Sequence, residues 1–535
     1  MIDCIRKGKI INMMTPKLSN SMADLVRLLL QWLGMEDHQQ TLLLFHYPLL
    51  LLFIILLFIF SFSIIFRQEK LNLPPSPPKI PIIGNLHQLS MDLHLAIHNL
   101  SQKHGPLMML SLGYCQTLVV SSAEMVREIK LHQEIPFADR PVTTAVKMLN
   151  YGGINLFFSP YGEYWRQVRK IYVMELLSSK RVQSFKCSRE DEVALMINKI
   201  SLSCSVGASV NIRELVTRLT MDIVCRCAFG RIHQGQDGHA HFGDLVDETV
   251  KLFTAFSFGD LFPWLGWMDI LTGLIGRIKK VSRKIDNYID QIIDQHLIQS
   301  EHSNSDCNKD FVDILLDVQK NDTSFTRDNI KAFILDNLAA GTETTSTTIE
   351  WAFAELIKNP TMMKKVQEEV RRVVGTKGKV DEEDLHQMEY LKLVVKETLR
   401  LHPAGVLILG QSSTITNVKG YHIPAKTQVL INVWSVHRDP QQWDKPDKFI
   451  PERFLNNPID FKGQDFKYIP FGSGRRGCPG ISFGIAVVEI AIANLLYWFD
   501  WKMPSGEDLD MREGFGLSVN KKIPLELVPI SHFSA

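Results

Sequence analysis

The chain has 535 residues, 45% of them hydrophobic and 22% charged, and carries a formal net charge of +1. That balance suits a chain with a large buried core and removes any bulk electrostatic case for nucleic acid or another polyanion as partner. Eight cysteines (Cys4, Cys115, Cys187, Cys204, Cys225, Cys227, Cys307, Cys478) are scattered without CxxC pairs, which argues against a disulfide framework and against a zinc site.

Residues 1–40 form an N-terminal extension. Its first part holds Arg6, Lys7, Lys9, Lys17 and Arg27 against Asp3 and Asp24, and reads either as a transit-like leader or as sequence upstream of the natural start. The second reading is preferred, because Met35 stands just before a complete anchor. Residues 41–66 are that anchor: from Leu49 to Phe66 the sequence is LLLLFIILLFIFSFSIIF, without a charge. About 20 apolar residues suffice to cross a hydrocarbon core, and no small-residue cleavage pattern follows. Glu36 and Asp37 precede the span while Arg67, Lys70 and Lys79 follow it, so the bulk of the chain is expected in the cytosol. Residues 67–90 are a proline-rich hinge, with Leu73-Pro-Pro-Ser-Pro-Pro78 at its centre. Proline at this density keeps a chain extended.

Residues 91–535 read as one large domain, mainly helical with small sheets. Helical spacing covers Met91–Lys103, Ala123–Gln133, Arg189–Ser203, Val210–Phe229, Ile275–Gln299 and a run from about Asp328 to Ile357. Short strands are expected at Leu107–Leu112, Thr117–Ser121 and Gln428–Val433, and a polar loop at Ser300–Lys309. Near the C-terminus stands Pro470-Phe471-Gly472-Ser473-Gly474-Arg475-Arg476-Gly477-Cys478-Pro479-Gly480, before an apolar run from Ile481 to Phe499. Such a loop delivers one cysteine to a helix N-terminus, where partial positive charge and free N–H groups stabilise a thiolate. Its glycines let the backbone approach a flat partner.

The spacing F-x-x-G-x-R-x-C-x-G, read from Phe471 to Gly480, is similar to the haem-binding signature of the cytochromes P450. The resemblance extends from the anchor to the C-terminus. It is nearest to the plant A-type clan in the proline hinge, in Phe137-Ala-Asp-Arg-Pro141 and in 161–170. It implies the cytochrome P450 fold behind a transmembrane helix, with haem b as cofactor and Cys478 as axial ligand of its iron. Phe471 would then pack near the sulfur, Gly472 and Gly480 would shape the loop, and Arg476 would hold a propionate. Thiolate ligation favours O–O cleavage.

Further segments join the resemblance. Glu397 and Arg400, in Lys396-Glu-Thr-Leu-Arg400, with Arg453 in Pro451-Glu-Arg-Phe454, match a buried ion network behind the haem. Stripping one partner from such a network costs roughly 3–5 kcal/mol. Gly341, Glu343 and Thr344 lie in Ala339-Ala-Gly-Thr-Glu-Thr-Thr345, where the family's acid–alcohol pair relays protons. Trp165 and Arg169 match residues set against a propionate, while Arg140 is given structural weight only. Gln411 stands where the clan usually has an arginine, which implies weaker haem retention.

The resemblance therefore implies a monooxygenase that hydroxylates a small lipophilic substrate. Electrons would come from NADPH through a separate flavoprotein, NADPH–cytochrome P450 reductase, with cytochrome b5 as a further partner. Arg169, Lys170 and Arg475 are candidate docking charges. The expected location is the endoplasmic reticulum membrane, single-pass. Substrate-contacting candidates are Phe157, Phe158, Phe333, Ala340, Val406, Leu407 and Phe515, an apolar set that suits a terpenoid ahead of a phenylpropanoid or alkaloid. Two other readings stay open: an O₂-independent isomerase or dehydratase, and a haem-binding membrane scaffold without turnover.

Overall fold

The computed structural model describes residues 50–57, 72–230, 236–300, 309–506, 508–514 and 516–533, without the side chains of 236–241 and 299–300. The chain divides into two compact units, 1–71 and 72–535. In the first, residues 50–57 are helical with every side chain exposed. The rest of the expected anchor, the extension 1–40 and the start of the hinge lie outside the described residues, as do Phe515 and most of the expected polar loop.

The hinge is not a free spacer. Met109 donates its N–H to Pro75 O at 2.8 Å. The buried Asn85 accepts from Ser111 N at 2.8 Å and donates to Pro77 O and Pro78 O, each at 3.3 Å. Prolines leave their carbonyls unpaired in an extended run, and the strand Leu107–Leu112 and Asn85 use them.

That strand opens a four-stranded sheet. It pairs antiparallel with Cys115–Val120, which runs parallel to Gln428–Asn432, itself antiparallel to Leu407–Gln411. The strand expected from residue 117 thus starts two residues earlier, and Leu407–Gln411, rich in apolar residues but short, escaped the periodicity reading. The hairpin Thr416–Val418 to Tyr421–Ile423 turns on Lys419 and Gly420, both at positive φ, the geometry a two-residue hairpin loop requires.

Helices fill the remainder. Glu163–Ile171 runs on into a π-turn at Tyr172–Leu176, a distortion often found at functional sites. Lys186–Ser205 and Ile212–Phe229 follow; the latter begins two residues late because Val210 and Asn211 join a sheet with Glu526–Ser531. The central helix, Arg327–Lys358, has 32 residues, so it spans about 48 Å at 1.5 Å per residue. Thr326 and Asn329 close its start with a reciprocal capping box, and Pro360 opens the next helix. Most of its faces are buried, against Ile212–Phe229 above all. The apolar helix Ile481–Trp498 is long enough by composition to cross a membrane, yet most of it is buried inside the body. It is a core helix.

Candidate active site

The cysteine loop is held by its own backbone. Gly472 and Gly474 take positive φ, Gly472 donates to Ile469 O at 3.0 Å, and Cys478 donates to Phe471 O at 2.9 Å. A side chain at Gly474 would push aside the Glu134 carboxylate, which lies against it, and would sit at a strained positive φ. The Cys478 side chain is exposed by surface area, whereas burial pushes its thiol up and the Gly480 N–H and Arg169 pull it back. Both hold when the exposed surface lines a hollow inside the body. Phe471 packs edge-on to Phe461 at 5.8 Å.

Around the loop gathers positive charge with too few carboxylates. Arg476 donates to Ala138 O at 2.8 Å, Leu156 O at 3.0 Å and Ser159 O at 2.5 Å, and its guanidinium lies 4.5 Å from the Trp165 ring centroid. Three of its five N–H bonds are used, leaving two for an anion. Burial lowers Arg476 to about 10, with Asp139 raising it and Arg169 lowering it further. Burial and Arg476 lower Arg140 to about 9. Arg140 is buried, its Nε has no partner, and it sits over Phe157 at 4.7 Å. An orphaned guanidinium N–H beside a second arginine fits a ligand bearing carboxylates, as the haem propionates are. Sequence reasoning gave Arg140 only structural weight.

Trp165 does not fit its expected task in the same way. Its one donor, Nε1–H, is taken by Leu156 O at 3.1 Å, so it supports Arg476 by stacking instead. Arg169 acts electrostatically on Cys478. Arg475 is paired with Glu134 at 3.3 Å and with Tyr161 Oη at 2.9 Å; it and Lys170 are the exposed members of the expected docking set, while Arg169 is half-buried. Gln411 bonds through its backbone N–H to Asp139 O at 2.8 Å, and its side-chain amide lies 3.4 Å from Lys426 O.

The ion network is present and buried. Arg400 grips Glu397 with two bonds of 2.8 and 2.9 Å. Arg453 Nε and Ile450 N donate to Glu397 Oε1 at 2.9 and 2.8 Å. Both Glu397 and Arg400 are fully buried. The remaining Arg400 donors go to backbone carbonyls of His437, Pro446 and Lys448.

On the central helix, Thr344 Oγ1 donates to Ala340 O at 2.6 Å, a back-bond common in helices. Glu343 accepts from Asn520 Nδ2 at 3.3 Å, its other oxygen is buried without a partner, and burial raises its acid. Gly341 serves packing: a methyl built there would lie 3.0 Å from Val224 Cγ2. Ala340 is exposed although Ala339 and Thr342 beside it are buried.

Among the substrate candidates, Phe157 and Ala340 are open, and Phe158 and Leu407 are half-buried. Phe333 belongs to the core instead. It is wholly buried, stacked on Tyr172 at 4.5 Å and edge-on to Phe325 at 5.2 Å. Val406 is buried too. A helix buried nearly all round gives periodicity no means of telling cavity face from core face. Sequence reasoning missed Asp336, whose carboxylate accepts from Asn155 Nδ2 at 2.5 Å and Leu156 N at 3.1 Å. Burial raises its acid to about 7. It straps the Phe157–Phe158 segment to the central helix.

The cytochrome P450 family pattern matches residues 74–527. Cytochrome P450 71A1 of Persea americana is 51% identical over 84% of this chain and 92% of its own length. Desmethylyatein synthase of Sinopodophyllum hexandrum is 46% identical over 90% and 98%. Phenylacetaldehyde oxime monooxygenase of Prunus mume is 46% identical over 86% and 90%. A zebrafish cytochrome P450 solved with progesterone superposes with a TM-score of 0.72 at 25% identity, over 82% of this chain and 99% of that one. A cysteine loop flanked by arginines, backed by a Glu–Arg–Arg network and joined to these relatives, places the chain in the cytochrome P450 family, among the plant A-type members.

Proposed function

We propose that this P450 hydroxylates a small lipophilic metabolite, a terpenoid first, with Phe157, Phe158, Ala340 and Leu407 as its walls and a single N-terminal span holding it in the endoplasmic reticulum membrane. The enzyme class is not at issue: the family is one of haem b monooxygenases that draw electrons from NADPH through a separate reductase. The haem, when bound, supplies the activation of O₂.

The chain's own residues do the rest. Cys478 would provide the sulfur ligand, while Arg476, Arg140 and Arg169 would take the propionates. Glu343, whose acid burial raises, and Thr344, with a hydroxyl that both donates and accepts, would hand protons toward the oxygen side. The Thr344 back-bond fixes that hydroxyl on the Ala340 face, since residues four apart share a helix face. The observation carrying the substrate reading is the opening at Ala340 in mid-helix, one turn before Thr344 and in a helix otherwise packed. The side chain at the opening itself is an apolar methyl, so a ligand there gains by burial and not by charge.

The test is expression in microsomes with a plant reductase, then a panel of terpenoids, phenylpropanoids and aryl oximes, the last suggested by the Prunus mume relative. A hydroxylated product that needs both NADPH and O₂ supports the proposal. Turnover without NADPH would point to rearrangement or dehydration. Silence across the panel, in spectrum and in product, would favour the scaffold reading.

A further inference from the structure

His437 is fully buried and engaged on three sides. Its ring Nδ1 lies 3.0 Å from Arg400 O, its Nε2 lies 2.8 Å from Ile469 N, and its own carbonyl accepts from Arg400 Nη1 at 2.8 Å. The geometry fixes the tautomer. A backbone carbonyl can only accept, so Nδ1 carries the proton; a backbone N–H can only donate, so Nε2 offers its lone pair. Burial and the nearby Arg400 charge hold the ring's pKa down to about 3, so the imidazole is neutral.

Ile469 is the last residue with an N–H before Pro470 and the cysteine loop. Its carbonyl accepts from Gly472 N, and Phe471 O accepts from Cys478 N. An unbroken run of hydrogen bonds and short backbone therefore joins Glu397 and Arg400 to Cys478, and His437 is the side chain in that run.

We propose that His437 is a positioning residue for the haem thiolate: it transmits the rigidity of the buried ion network to the cysteine loop and keeps Cys478 in its ligating geometry. This rests on the haem-thiolate reading of Cys478. Arg400 O and Ile469 N both meet this buried ring, and an unmet buried polar group is costly.

Three substitutions of holoenzyme separate the two bonds from mere bulk. In His437→Gln the amide oxygen reaches the place of Nε2 and can accept from Ile469. In His437→Asn the amide sits at Nδ1 and can serve only Arg400. In His437→Phe the volume remains and both bonds go. The measurements are the reduced carbon monoxide spectrum, which separates thiolate-ligated haem from the form that has lost it, and the rate of haem transfer to apomyoglobin. Because Ile469 N is the contact on the loop side, we expect His437→Gln, which gives up only the bond to Arg400 O, to hold haem better than His437→Asn and His437→Phe. Those two give up the Ile469 bond and should lose haem about tenfold faster, with a growing fraction of the thiolate-free form. If Gln fares no better than Phe, or if all three match the wild type, the proposal is wrong. Should His437→Phe fail to fold, amide exchange at Ile469 in His437→Gln against His437→Asn decides it, and equal exchange would overturn it. A wild type lacking the thiolate spectrum would instead refute the haem-thiolate reading, a separate failure.

Discussion

Glu397 has no water to fall back on. Two arginines and the Ile450 N–H converge on its carboxylate, so Glu397→Gln leaves buried cations short of a partner. Such a loss costs roughly 3–5 kcal/mol, and Glu397→Gln should yield protein with little or no haem; a haem-to-protein ratio equal to the wild type would show the network to be dispensable. Gln411 is the opposite case, a neutral residue beside a cationic cluster. Its side chain makes one long contact to Lys426 O, and the neighbouring Arg140 has a donor to spare. Gln411→Arg should slow haem transfer to apomyoglobin. An unchanged rate would mean that Arg140 already does the work. What could be read from sequence at this scale was local: the glycines, the arginine and Cys478 lie within ten residues of one another. Arg140, Asp336 and His437 could not be read that way, because the partners that give them meaning are far along the chain. Arg140 faces Arg476, Asp336 binds residues 155 and 156, and His437 joins 400 to 469.

At the scale of elements, two joints matter. Asp336 straps the segment carrying Phe157 and Phe158, and the same segment's Leu156 and Ser159 carbonyls bind Arg476. Removing the carboxylate by Asp336→Ala should raise amide exchange at 155–158 and change product selectivity more than it changes haem content; unchanged exchange would exclude the strap. The second joint ties the helices Leu274–Ser300 and Phe311–Asn321. His296 Nε2 lies 2.9 Å from Asp310, which caps the latter helix. Burial pulls His296 down, but the hydrogen bond and charge of Asp310 outweigh it and the net shift is upward. The folded state thus holds its proton longer than the unfolded one. The stabilisation is complete below the ordinary histidine value of 6.5 and is lost as pH rises through the higher folded value. His296→Gln should therefore lower the melting temperature in mildly acidic buffer and match the wild type in mildly alkaline buffer; a pH-independent gap would contradict the pairing. The six helices given ranges from apolar spacing were legible to within about three residues at their ends. The strand Leu407–Gln411 was not, since five residues against a buried neighbour carry no alternation.

For the whole molecule, the family fold explains why so apolar a helix as Ile481–Trp498 is a core element: it starts three residues after Cys478 and is packed by the rest of the body. One ligand bond organises the account, and one spectrum tests it. Membranes holding the wild type or Cys478→Ser, reduced and exposed to carbon monoxide, should differ sharply. The wild type should give the red-shifted Soret band of thiolate-ligated haem, and the variant should lose it. The same band in both proteins would show that the sulfur of Cys478 does not hold the iron.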